Sequence, residues 1–150
     1  MKSKRIILII LFLCSNGFAQ TSVFVNPGIK IGFAFGEKVE FNFGYELSLV
    51  FFKESDPDYN KYGIVIDYDN IYEIKRLHIG FEYIRRFVGI DIGPTLGWKG
   101  DNFIYGFSVI PFGGAILLPY YNFTYFNKES DIQEIGTYLK IPIGDVGWRN

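Results

Sequence analysis

From residue 23 onwards, the chain alternates between bulky apolar side chains and small or polar ones. The odd positions of residues 29–35 and 39–51 are all large and apolar or aromatic, while most even positions between them are glycine, polar or charged. Successive side chains of a strand point to opposite faces, so this period predicts two consecutive strands. Residues 36–38 are predicted to form a three-residue hairpin turn, because that length keeps Phe35 and Val39 on one face.

The same alternation recurs in six further segments. Asp69 and Asn70 are predicted to form a turn, and a phase slip between Ile74 and Leu77 predicts a β-bulge. The other connections are predicted at residues 99–102, 111–114 and 127–131. The alternating segments are residues 62–68, 77–83, 88–98, 103–109, an aromatic-rich stretch that ends near residue 126, and 135–143.

The fold class predicted from this pattern is all-β, with eight antiparallel strands in up-and-down (meander) order. Such strands close naturally into a barrel, which leaves no unpaired strand edge. The composition agrees, because 17 Gly, 16 Phe and 11 Tyr residues favour strands and turns over helices. Residues 20–150 are predicted to form a single β-barrel domain.

The small face of the strands is predicted to line the barrel interior, since glycine suits a narrow interior better than a solvated surface. The bulky face would then contact lipid, as in a transmembrane β-barrel. The predicted interior glycines are Gly32, Gly44, Gly63, Gly80, Gly89, Gly93, Gly97, Gly106 and Gly136. The predicted interior charges are Lys30, Glu40, Glu46, Asp67, Glu82, Asp91, Glu134 and Lys140. The predicted outward aromatic residues are Tyr45, Tyr62, Tyr68, Tyr83, Trp98, Tyr105, Tyr120, Tyr121 and Tyr125.

Residues 1–19 are predicted to be a secretory signal peptide. Three cations precede an apolar run over residues 6–13, and small residues at Gly17 and Ala19 fit cleavage before Gln20. The run would rise only about 12 Å as a helix, short of the ~30 Å that a membrane-spanning helix needs. Cys14 follows Leu13 rather than a small residue, which argues against lipidation. Removal of the signal peptide would leave no cysteine for disulfides, thiolate catalysis or metal binding.

The formal net charge of −1 gives no electrostatic basis for a nucleic-acid partner. Together, the signal peptide, the cysteine-free barrel and the glycine-rich, charged inner face resemble the small outer-membrane β-barrels of Gram-negative bacteria. The resemblance is to the OmpA/OmpX kind and to related Bacteroidota barrels, and it extends over residues 23–143. It implies outer-membrane lipid as surroundings and the barrel-assembly machinery as a partner during insertion. Such barrels usually end on an aromatic residue, whereas this chain ends on Asn150.

Few residues carry recognisable chemistry, and no catalytic, cofactor-binding or metal-binding residue is predicted. The sole histidine, His78, shares a face with Glu82, about 13 Å further along a strand, so a lumenal network is expected rather than direct contact. Ser48, Ser108 and Ser130 lie in no nucleophile motif.

The carboxylates of Glu54, Asp56 and Asp58 alternate without the glycine and final glutamate of a calcium loop, and a solvated loop is expected there. Residues 93–97 are interpreted as a strand with a proline irregularity, and Asn122 and Thr124 form part of a glycosylation sequon.

Three functions remain compatible with the sequence. The first is an exported, integral outer-membrane barrel with a structural or surface-interaction role, no open pore and no catalysis. The second is a soluble exported barrel that binds an apolar ligand inside, with the bulky face turned inward. The third is a barrel-type lipid-modifying enzyme. The first is the prediction.

Overall fold

The computed structural model describes residues 22–36, 38–52 and 60–145, so the predicted signal peptide, Glu37 of the first turn and the carboxylates at 54–58 lie outside the described residues. No helix that could cross a membrane occurs in these described stretches. Every regular element within them is a strand. The strands are β1 Ser22–Phe35, β2 Val39–Phe52, β3 Asn60–Ile71, β4 Ile74–Arg85, β5 Val88–Lys99, β6 Asn102–Gly113, β7 Leu117–Phe126, β8 Ile132–Lys140 and the short β9 Ile143–Asp145.

The eight long strands form a closed antiparallel meander, as predicted. Each strand pairs with its sequence neighbours, and β1 pairs with both β2 and β8. A trace of cross-strand pairs once around the barrel starts at Ser22 of β1 and comes back to β1 at Gly32. A shift of about ten residues is about 33 Å along the strands over a circumference of about 38 Å, which gives a strand tilt of about 40°. The short β9 pairs with Phe24 and Val25, and so extends the edge of β8 along β1.

The two faces of the barrel wall point as the alternation predicts. The bulky side chains of residues 29–35 and 39–49 are exposed on the outside, and the alternate residues from Lys30 to Val50 are buried apart from those at the first turn. Among the described residues, 16 polar or charged side chains are buried. Two of the face assignments need correction. Tyr120, predicted outside, is inside with 3% exposure, and Glu40 lies at the rim, paired with Lys38.

The β3–β4 hairpin corrects two predictions. Asp69 and Asn70 remain in β3, and the turn is formed by Tyr72 and Glu73, both with positive φ. The pairing of β3 with β4 continues without a register shift to the Ile71–Ile74 pair, so the predicted bulge is wrong. The apparent phase slip arises because Ile74 points inward, where it packs in an apolar cluster at the end of the barrel.

Two apolar clusters close the interior, one towards each end. We call the end with the β1–β2, β3–β4, β5–β6 and β7–β8 connections the upper end, and the end with Ser22 and Asp145 the lower end. The polar side chains fill the space between the clusters. The upper cluster consists of Ala34, Ile71, Ile74, Ile104, Phe126 and Ile132. The lower cluster consists of Ile110, Phe112, Leu118, Tyr120 and Tyr138.

Candidate functional site: the polar interior

A cluster of two cations and three carboxylates occupies the middle of the interior. The Lys30 ammonium lies 2.9 Å from an Asp67 oxygen, 2.7 Å from an Asp69 oxygen and 3.4 Å from a Glu134 oxygen. Arg76 donates from Nε to Asp69 at 2.6 Å and from a terminal nitrogen to Glu134 at 2.8 Å. All five side chains are at least 96% buried. Buried charges are tolerated only when paired and hydrogen-bonded, and this cluster meets that condition through four strands.

Neutral side chains donate further hydrogen bonds to this cluster. Asn42 donates from Nδ2 to Asp69 at 3.0 Å and to Glu134 at 2.6 Å. The Tyr120 hydroxyl donates to Glu134, and the Tyr138 hydroxyl donates to Asp67 at 3.3 Å. The Lys30 ammonium also lies 5.4 Å from the centroid of the Tyr120 ring, within the range of a cation–π contact. The inward Tyr120 hydroxyl therefore hydrogen-bonds to Glu134, one of the two carboxylates that contact both cations.

Two glycines leave the space that Tyr120 occupies. Gly32 of β1 and Gly136 of β8 are paired neighbours, and a Cβ atom on either would lie 2.7 Å from the Tyr120 hydroxyl oxygen. Gly80 likewise leaves space for the side chain of Asp91, because a Cβ on Gly80 would lie 1.8 Å from a carboxylate oxygen of Asp91. The interior glycines thus provide room for specific polar side chains of the neighbouring strands.

A chain of hydrogen bonds runs around the wall from β4 to β7. His78 lies 3.1 Å from both carboxylate oxygens of Asp91 through Nε2, and 3.0 Å from the Thr95 hydroxyl through Nδ1. Thr95 contacts Ser108 at 2.5 Å, and Ser108 contacts Thr124 at 2.7 Å. All five residues are buried.

The hydrogen bonds of Asn122, at the β7 end of this chain, determine which group donates in each of its contacts. Asn122 donates from Nδ2 to Glu134 at 3.4 Å, so its Oδ1 accepts from Thr124 at 3.1 Å. Four contacts then connect Asn122 to His78 through three hydroxyl groups, and each hydroxyl supplies one proton. The fourth proton comes from Nδ1 of His78, whose Nε2 faces the carboxylate of Asp91.

A third group of charges lies nearer the lower end. The Lys140 ammonium contacts Glu46 and lies 2.9 Å from Glu82 Oε1, and it also lies 5.1 Å from the centroid of the Phe112 ring. The three charged side chains are more than 90% buried. Within the described residues, no group of three or more His, Cys, Asp or Glu side chains could hold a metal ion.

The structure places the sequence candidates as follows. His78 is a member of a lumenal network without direct contact to Glu82, as predicted, and its carboxylate partner is Asp91 of β5. Ser108 is buried in the hydrogen-bond chain, Ser48 is fully buried, and Ser130 is exposed in the β7–β8 connection. The residues 93–97 lie in β5, where pairing with β4 is interrupted opposite Gly93 and Pro94.

Sequence reasoning missed Asp69 and Arg76, which join the central cluster. Both lie in phase with predicted interior residues, Asp69 two positions after Asp67 and Arg76 two before His78. Continued alternation would have identified them, had the neighbouring segments not been interpreted as a turn and a bulge. Asn122 and Thr124 of the sequon both point into the interior.

Comparisons with protein-family models, with curated proteins and with solved structures found no match for this chain. The fold itself defines a class, the closed eight-stranded antiparallel β-barrel with a packed polar interior. That architecture is consistent with an OmpA/OmpX-like barrel.

Proposed function

We propose that this chain is an integral outer-membrane β-barrel protein with a structural or surface-interaction role and no open pore. The observation that carries the proposal is the inverted polarity of the wall. Large apolar residues dominate the exposed surface, while the charged residues of the strands lie mostly inside. A protein in water would expose the second set and bury the first, whereas a transmembrane barrel has this arrangement.

The height of the apolar wall supports the same proposal. On the outward face of β4 the charged residues are Lys75 and Arg85, with Leu77, Ile79, Phe81 and Tyr83 between them. Ten residues span about 33 Å along a strand, and a tilt of about 40° reduces this to about 25 Å along the barrel axis. The apolar band of an outer-membrane barrel is also about 25 Å tall. Tyr62 and Tyr83 pack together, with ring centroids 5.3 Å apart, next to the Arg85 end of this band.

The packed interior supports the absence of an open pore. The void among Lys30, Asp67, Arg76 and Ser108 has a volume of about 10 Å³, which is room for one water molecule at most. Wide aqueous channels are found in barrels of about 16 strands rather than eight. The soluble carrier would need its bulky face inside. A lipid-modifying enzyme of the serine–histidine type would need an accessible histidine, whereas the sole histidine of the sequence, His78, is 4% exposed.

Fractionation of the expressing cells tests this proposal. The protein should remain in the membrane pellet after a carbonate wash and should dissolve only with detergent, in a form that migrates faster on SDS gels before boiling than after. Reconstituted into a planar bilayer, it should give no stable conductance steps. Recovery in the soluble fraction would overturn membrane insertion, and regular conductance steps would overturn the closed interior.

A further inference from the structure

A cavity of about 300 Å³ opens at the lower end of the barrel. Its apolar lining includes Phe24, Val50, Ile84 and Leu118, which come from four different strands. An engineered protein cavity of about 150 Å³ binds benzene, so this one has room for an apolar body of roughly ten carbon atoms. A single short hydrocarbon chain fits that space, whereas the two long chains of a phospholipid do not.

Two cations line the mouth of this cavity. Lys61 of β3 is paired with Ile84 of β4, and Arg86 follows Ile84 by two residues, in the β4–β5 turn. Arg86 is exposed and Lys61 is half-buried, so a bound molecule can reach both from the opening. The Phe87 carbonyl accepts a hydrogen bond of 2.7 Å from the Gly114 amide, which holds the turn that carries Arg86 against the β6–β7 connection.

The charges around the cavity favour an anion as its occupant. Deeper in the barrel, the Lys140 ammonium already has two carboxylate partners, Glu46 and Glu82. Within the described residues, Lys61 and Arg86 form no ion pair, so the positive charge at the mouth is not neutralised there. A guanidinium binds a carboxylate or phosphate through two parallel hydrogen bonds, and an ammonium adds a compact positive charge.

We propose that this cavity binds a single-chain anionic amphiphile, of the kind that a medium-chain carboxylate represents. Lys61 and Arg86 hold the anionic head at the mouth, and the chain packs against the apolar lining. A neutral head would gain much less from these two cations, and a cationic head would be repelled by them. The site does not depend on insertion into a membrane, because the folded barrel in detergent contains the whole cavity. Its failure would therefore leave the proposed outer-membrane role untouched.

Binding of three probes of equal chain length tests the proposal: octanoate, octanol and octylammonium. Each is titrated into the folded barrel in non-ionic detergent, and NMR signals of Val50 and Leu118 report on the cavity. Signals of the outward-facing Ile79 report on partition into the detergent. Octanoate should shift the cavity signals in a saturable way, with an affinity for the free probe at least tenfold higher than that of octanol, and octylammonium should not bind. Equal affinities of octanoate and octanol, tighter binding of octylammonium, or octanoate shifts confined to Ile79 would overturn the proposal.

Substitutions locate the anionic head. Arg86→Gln and Lys61→Gln should each weaken octanoate binding at least fivefold and leave octanol binding unchanged. Lys75→Gln is the matched control, because it removes an exposed cation of β4 at the upper end and should leave octanoate binding intact. Unchanged octanoate binding in both mouth variants, or an equal loss in Lys75→Gln, would overturn the proposal. If a mouth variant does not fold, the ranking of the three probes on the unaltered barrel still decides.

Discussion

The outer wall and the interior of this barrel are built on opposite rules. The outer wall consists of large apolar side chains. Because apolarity is the property that they share, one of them can largely replace another. The interior between the two apolar clusters holds charged and polar groups, most of which contact a particular partner on another strand. The specificity of this fold therefore resides inside, in the pairing of Lys30, Arg76 and His78 with their carboxylates, rather than in an apolar core.

Removal of one interior cation should have the largest effect on the free energy of unfolding. Lys30→Met would leave Asp67 without its closest cation and Glu134 and Asp69 with Arg76 alone. Breaking a buried ion pair costs about 3–5 kcal/mol, so we expect a loss of this size in the free energy of unfolding by urea. Lys38→Met is the control, because Lys38 is 67% exposed and its pair with Glu40 should contribute less than about 1 kcal/mol. Equal effects of the two substitutions would show that the interior cluster contributes no more than a surface pair.

A charge placed on the outer wall should have the second largest effect on the free energy of unfolding. Ile79 lies near the midpoint between Lys75 and Arg85, and it is 41% exposed. In lipid vesicles, Ile79→Lys should lower the free energy of unfolding by about 2–4 kcal/mol, because it puts an ammonium near the middle of the hydrocarbon. Val39→Lys, beside the first turn at the upper end, should cost about 0–1 kcal/mol. A neutral Ile79→Lys would argue that this wall faces water.

A methyl group added where interior side chains are closely packed should have a smaller effect on stability. Gly80→Ala introduces a methyl group where Asp91 reaches His78, and we expect a loss of about 1–3 kcal/mol in stability from overpacking. Gly113→Ala offers a matched substitution, since the nearest atom to its added Cβ is a backbone oxygen at 3.4 Å, an ordinary contact. Thermal or urea unfolding of both variants in one detergent measures the difference. Similar stability of both variants would contradict a tightly fitted Asp91–His78 pair.

The smallest expected effect comes from the hydrogen-bond chain. Ser108→Ala removes the middle hydroxyl and leaves Thr95 and Thr124 without a shared partner. The loss should be about 1 kcal/mol, and the exposed Ser130→Ala should be close to neutral. Nitrogen-15 NMR of the His78 ring tests the direction of the chain, since Nδ1 should carry the proton that is donated to Thr95. A bare Nδ1 would contradict that direction.

The sequence predicts the wall of this barrel better than the contacts inside it. Alternation over residues 29–51 places the β1 and β2 side chains on their faces, because one period describes each strand independently of its neighbours. Tyr120 is misassigned because Tyr121 beside it is equally aromatic, although the phase of Tyr120 with the polar Asn122 and Thr124 indicates the inner face. The contact of His78 with Asp91 depends on how β4 and β5 are aligned, and a side-chain period carries no information on that alignment.

The depth of the outer wall in a lipid bilayer shows directly whether this barrel spans a membrane. A fluorophore is attached to Ile79→Cys or to Val39→Cys, each in a Cys14→Ser background, and the barrel is placed in vesicles with quenchers at defined depths. The label at position 79 should be quenched most by a quencher near the bilayer centre, and the label at position 39 by one near the headgroups. If instead aqueous iodide quenches the label at position 79 and the lipid quenchers do not, the apolar wall does not face a membrane.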